Sequence, residues 1–100
     1  MRDASGFEWD ADKAASNHVK HGVSFKYAIG VFTDAAAVDV DASRANEPEV
    51  RRKAIGTIEG RVFTVVYTMR SGVIRIISAR RANTQESRAY AYGPTHTRSE

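Results

Sequence analysis

Arg75-Ile-Ile-Ser-Ala-Arg-Arg-Ala82 is a β-branched strand core that carries a serine and three arginines. Period-two geometry sends Ile74, Ile76, Ser78 and Arg80 to one face. It sends Arg75, Ile77, Ala79 and Arg81 to the other. Each face then pairs apolar anchors with guanidinium groups. A guanidinium stays charged and grips phosphate with a planar fork. Arginines held on a rigid strand are what a phosphate-handling site needs.

Working outward, this stretch is the last of three β segments. Arg51 to Ile58 is the first. Gly60 marks a turn before Arg61 to Thr68, and Ser71-Gly72 marks another before Val73 to Arg80. Such short connections predict an antiparallel meander. Upstream, Ala37 to Asp41 alternates like a strand, and 42–49 reads as a loop rich in Ser, Asn, Pro and charge. Downstream, Asn83-x-x-Glu86 has the spacing of a capping box for a short helix reaching about Tyr92, stopped by Gly93-Pro94.

The N-terminal part reads as Phe7-Glu-Trp9, a short aromatic strand, followed by two helices. Asp10 caps the first, which runs to about His21 with Gly22 at C′. Ala11, Ala14, Ala15 and Val19 share one arc of it; Lys13, Asn17, Lys20 and His21 share the other. Ser24 caps the second, with Phe25, Ala28, Ile29 and Phe32 at helical spacing and Asp34 at its end. The expected fold is α+β: a small antiparallel sheet, two N-terminal helices and a short C-terminal helix, with the helices on one face. Residues 1–92 are expected to form a single domain, and 93–100 a disordered tail.

Composition bounds the function. The 100 residues suit one domain, with stability of about 5–15 kcal/mol. No cysteine is present, so disulfides, thiolate nucleophiles and cysteine-ligated metals are excluded. No apolar run approaches membrane-spanning length, and no secretory leader is read, so a cytosolic location is expected. Residues 1–50 hold five Lys/Arg against nine Asp/Glu, a charge of −4; residues 51–100 hold ten against three, +7. An arginine-rich half of this kind suggests a polyanionic partner.

Five strings, in order and covering about residues 7 to 92, carry a resemblance: Phe7-Glu-Trp-Asp10; Lys13-x-x-x-Asn17-x-x-Lys20-His21-Gly22-Val23-x-Phe25; Arg51-x-x-x-Ile55-Gly56; Val65-Val-Tyr67-x-x-Arg70; and Arg75-Ile-Ile-Ser-Ala-Arg80-x-Ala82-x-x-x-Glu86-x-x-x-Tyr90. Together they resemble the BrnT toxins. Tyr27 departs from the acidic residue found there in many relatives, and the 42–50 loop is variable. The resemblance implies a RelE/ParE-like toxin of a bacterial type II toxin–antitoxin system, a ribonuclease that inhibits translation. It implies a BrnA-like ribbon-helix-helix antitoxin as partner, the pair repressing its own operon by binding operator DNA.

RNA cleavage without a metal needs a 2′-OH deprotonated, a dianionic transition state stabilised and the leaving 5′-oxygen protonated. Arg75 and Arg80 are candidates for the second task, with Arg51, Arg61 and Arg81 as RNA contacts. Alternation puts Arg75 and Arg80 on opposite faces, so both reach one site only if a bulge re-aims one. The alternative for each arginine is an ion pair with an acidic residue of the first half. Ser78 could hydrogen-bond phosphate or ribose, or satisfy a neighbouring backbone group. Lys20 and His21 are the acid/base candidates, since imidazole suits proton transfer near neutrality. Both could instead serve the C-terminal end of their helix. Tyr67 could stack on a base or sit in the core. His18 and His21, at i and i+3 with no carboxylate cluster, do not make a metal site, and no cofactor is expected. The competing function is a non-catalytic module of RelE/ParE-like fold that binds nucleic acid or holds a repressor.

Overall fold

The computed structural model describes residues 6–93; of the expected tail, only Gly93 lies within them. The element order is β1 (Phe7–Trp9), α1 (Ala11–His21), α2 (Phe25–Ala28), β2 (Val38–Asp41), β3 (Arg52–Ile58), β4 (Arg61–Arg70), β5 (Val73–Arg81) and α3 (Thr84–Tyr92). The five strands form one sheet in the order β1-β5-β4-β3-β2.

Strands β2 to β5 make the expected antiparallel meander. Glu59-Gly60 and Ser71-Gly72 turn its two tight hairpins, each pair with positive φ at both residues. That backbone matches the right-handed twist of the strands it joins. The sheet is nevertheless mixed, not purely antiparallel, because β1 pairs parallel with β5: Phe7 sits opposite Ile74 and Trp9 opposite Ile76. Three residues lack the length to announce a partner by pattern. The choice is made by the two aromatic rings, both buried in the core.

The helices also lie on both faces rather than one. Residues directly opposed across strands share a face. Ala54, Val65 and Ala79 form one such row, packed with Val23, Phe25, Ala28 and Val31 from the α1–α2 side. Thr64 and Arg80 form the next row on the reverse face, where Glu86 of α3 bonds to both. A buried row of Phe63, Val65 and Tyr67 alternating with Thr64 and Thr68 gives β4 two covered faces.

The capping residues act as their types suggest. The Asp10 side chain accepts from the Asp12 amide, and Gly22 closes α1 in the left-handed conformation at φ 71°. The Ser24 hydroxyl accepts from the Tyr27 amide. Asn83 and Glu86 make the full reciprocal capping box. The second helix is shorter than expected: after one α turn it tightens into a 3₁₀ segment, Ile29–Thr33. Three β-branched residues and Gly30 in that segment favour the helix poorly. Val31 also packs so closely on β3 that a Cβ at Gly56 would stand 3.1 Å from the Val31 carbonyl oxygen.

The alanine arc of α1 is not its buried side. Val19 is 89% exposed, while Asn17 is buried and Ala14 and His21 are half-buried. The reason is what α1 covers. Beyond Ile76, β5 has no strand on its outer side among the described residues, so α1 meets backbone groups that no strand pairs.

Candidate functional site

Asn17 satisfies that open edge. Its Nδ2 donates to the Ala79 carbonyl (2.8 Å) and to the Val23 carbonyl (3.1 Å), and its Oδ1 accepts from the Ala79 amide (3.2 Å). The carboxamide thus exchanges both hydrogen bonds with one residue, as a neighbouring strand would. It fixes the polar side of α1 against the second half of β5.

Beside this contact the strand is bulged. Tyr67 pairs with Ile76 but Val66 pairs with Ser78, which leaves Ile77 as an extra residue. Strict alternation therefore fails across β5. Ile74, Ile76, Ala79 and Arg81 share one face; Arg75, Ser78 and Arg80 share the other. The face shared by Arg75 and Arg80, unavailable to a regular strand, is created by the bulge.

A common face does not give the two arginines a common task. Both terminal guanidinium nitrogens of Arg80 donate to the Glu86 carboxylate, at 2.7 and 2.8 Å. Glu86 also accepts from Lys53 Nζ (3.0 Å), Thr64 Oγ1 (2.9 Å) and the Asn83 amide (3.0 Å). Burial opposes ionisation of Glu86, but Arg80, the Asn83 amide, Lys53 and Thr64 outweigh it and hold the carboxyl well below its ordinary range. The same pairing raises Arg80 above its ordinary value. Arg75 pairs with Glu8 at 3.2 Å and Arg51 with Glu47 at 3.2 Å. Arg52 pairs with Asp39 and Arg70 with Glu49.

Tyr67 lies in the core. Its ring packs edge-on to Phe32 and its hydroxyl donates to Asp39. Burial, then that hydrogen bond, pushes the phenol up to about 12. Little of the ring remains for a base to stack on.

Apart from Arg88 on α3, the cations without an acidic partner among the described residues gather elsewhere. Lys13, Lys20, His18 and His21 project from α1, and Arg61 and Arg81 from the ends of β4 and β5. Two grooves connect them. One is lined by Lys13, Ser16, Asn17, Lys20 and His21 of α1 with Ile77 and Ser78 of the bulge. The other holds His18, His21, Ser24 and Tyr27 beside Arg61, Phe63 and Arg81. His21 lines both, so the two grooves meet at that residue beside the β5 edge and together make a cationic track around it. Arg81 lies over the Phe63 ring, 5.6 Å from its centre, and Tyr27 meets the same ring edge-on. The Tyr27 hydroxyl donates to Glu59, a bond that raises its ionisation above the ordinary phenol value.

Lys20, His21 and Ser78 are thus brought together, with Arg61 and Arg81 on the adjoining groove. Arg80 stands under α3, and Arg75 with Arg51 in a further recess that meets the Lys20–Ser78 groove at Lys13 and Ile77. Imidazole, amine and hydroxyl at one groove can bind a phosphate and move protons. His18, Lys13 and Tyr27 also line these grooves, which the sequence alone does not indicate. The one available signal was that Lys13 shares the Lys20 arc; His18 and Tyr27 reach the groove only through the turn at Gly22. No group of three or more His, Asp or Glu able to hold a metal occurs among the described residues. No helix among them is long and apolar enough to cross a membrane.

A model of the family described as the ribonuclease toxin, BrnT, of type II toxin–antitoxin systems matches residues 9–86. No curated protein matches significantly.

Proposed function

The chain belongs to the BrnT family of ribonuclease toxins of type II toxin–antitoxin systems, which implies an RNA substrate and a protein antitoxin; on that premise we propose that it is a metal-independent endoribonuclease whose cleavage groove is the α1–β5 track around His21. One observation carries this reading. Acidic side chains pair with Arg51, Arg52, Arg70, Arg75 and Arg80, whereas the cations along α1 and at the ends of β4 and β5 line the grooves with no acidic partner among the described residues.

In this reading the scissile phosphate sits between Lys20, Ser78 and His21. His21 takes the proton of the 2′-OH as its oxygen attacks phosphorus. Lys20 neutralises charge growing on the non-bridging oxygens, and the Ser78 hydroxyl donates to one of them. The bond to the 5′-oxygen breaks, that oxygen takes a proton from solvent water in the open groove, and a 2′,3′-cyclic phosphate remains. Arg61 and Arg81 hold the flanking backbone, and the Tyr27–Phe63 surface meets a base. Arg80, on the Ser78 face of β5 but held by Glu86, supports the site without touching RNA.

Cleavage of cellular RNA would inhibit translation in the cytosol. A BrnA-like ribbon-helix-helix antitoxin would neutralise the enzyme by covering the cationic track, and the pair would bind operator DNA through the antitoxin. The fold is read as RelE/ParE-like. The test uses antitoxin-free protein, a defined RNA and excess chelator. Wild type should cut the RNA to cyclic-phosphate ends. His21→Ala and Lys20→Ala should each lose about 10²–10³ in rate with folding intact. Unimpaired cleavage by both variants would sink the assignment.

A further inference from the structure

Beyond Lys13 the track opens into a third recess, lined by Asp10, Lys13, Glu49, Arg51, Thr68, Arg70, Arg75, Ile76 and Ile77. Lys13 and Ile77 also line the Lys20–Ser78 groove, so the recess continues it. We propose that this recess is a second phosphate subsite, which grips the RNA backbone away from the cleaved bond and sets the strand's register on the enzyme. The proposal rests on the cleavage groove assigned above.

Three observations support it. The first is a convergence of donors: the side chains of Lys13, Arg51, Arg70 and Arg75 all line the recess, beside Asp10 and Glu49. Its arginines are fixed rather than free. Glu47 holds Arg51, Glu49 holds Arg70 and Glu8 holds Arg75, each through one guanidinium nitrogen, at 3.2, 3.0 and 3.2 Å. A guanidinium carries five donors, so each retains N–H groups for a ligand while its position is set. Lys13 has no ion pair among the described residues and can close over an incoming anion.

The second is an orphan donor. The Nε–H of Arg51 is buried and has no acceptor among the described residues. Buried donors are rarely left so. An oxyanion seated beside Arg51 would relieve it.

The third is size and reach. The recess is small, about 100 Å³, against about 460 Å³ for the groove at Arg61 and Arg81. It suits a phosphate rather than a nucleoside. Lys13 and His21 are eight residues apart on α1, which spans about 12 Å. A single strand following the β5 edge therefore places one backbone phosphate at His21 and a later or earlier one in the recess.

The test is a chemical cycle on binding. Single-stranded RNA made uncleavable by 2′-deoxy substitution at the scissile position has its backbone phosphates replaced, one at a time, by neutral methylphosphonate. Binding is read by fluorescence anisotropy for wild type, Arg51→Met and the exposed-site variant Lys13→Met. Wild type should lose about tenfold in affinity at one phosphate other than the scissile one, and the variants should show no further loss at that position. Each variant should also lower the salt dependence of binding by about one counterion. If every phosphate matters equally in wild type and in Lys13→Met, the subsite does not exist. The two readings separate cleanly. Coupling without cleavage of the unmodified RNA keeps the subsite and ends the nuclease groove. Cleavage without coupling does the reverse.

Discussion

Replacing Glu86 by Gln tests whether Arg80 is a structural cation. The carboxylate is 3% exposed and receives Arg80 through two nitrogens, Lys53, Thr64 and the Asn83 amide. A Gln keeps one oxygen for Thr64 or Asn83 but turns an amide N–H₂ toward Arg80 or Lys53. Two cations then lose their counterion under α3. Breaking a buried pair in this way costs about 3–5 kcal/mol. Arg80 and Lys53 retain 30% and 27% of their side-chain exposure, so water recovers part of the loss and the lower end, about 3 kcal/mol, applies. For a domain of this length that is a fall in Tm of roughly 12–24 °C. Thermal unfolding followed by circular dichroism reads it directly. The cycle with Arg80→Met should be strongly non-additive, since either change removes the same pair. A Glu86→Gln protein within about 4 °C of wild type would refute the ledger. If Glu86→Gln kept full activity while a folded Arg80→Met lost it, Arg80 would touch substrate after all.

Asn17→Ala removes three hydrogen bonds and leaves the Ala79 amide and carbonyl unpaired; a loss of about 2–4 kcal/mol in urea unfolding is expected, with early hydrogen exchange in α1. Tyr67→Phe removes one hydroxyl bond to Asp39 while the ring still fills its place, so about 1 kcal/mol of stability and no RNA affinity should be lost. Stability should also depend on pH in one direction. The Tyr90 hydroxyl, followed by the Thr57 amide, holds Asp34 below the ordinary carboxyl range, and Glu86 is held below it as well. Folded values below unfolded ones mean that both contributions are complete above the ordinary carboxyl values and are lost as pH falls through them. The urea midpoint should stay flat from pH 7 to about 5 and drop below about 4.5, less steeply in Glu86→Gln.

Local chemistry alone determined a good part of this protein. The caps Asp10, Ser24 and Asn83, the stop at Gly22, and the turns at Gly60 and Ser71-Gly72 act within a few residues of themselves, so they were legible before any fold was known. The same holds for the meander and for Lys20 and His21 as neighbours of one groove, because helix and strand periods are local properties. Three decisions belonged to the tertiary structure. Which strand β1 joins depended on where Phe7 and Trp9 could be buried. Which side of α1 faces inward depended on the bare edge of β5, which asked for the amide of Asn17 instead of the methyls of Ala15 and Val19. Which arginines of Arg75–Ala82 are paired with an acid depended on Ile77, whose bulge moved Ser78 and Arg80 to the face of Arg75, and on Glu86, five residues beyond Arg81 in sequence, which claims Arg80 once α3 folds back over the sheet. An arginine's charge is written in the chain; whether that charge is spent inside the protein is settled only by what packs against it.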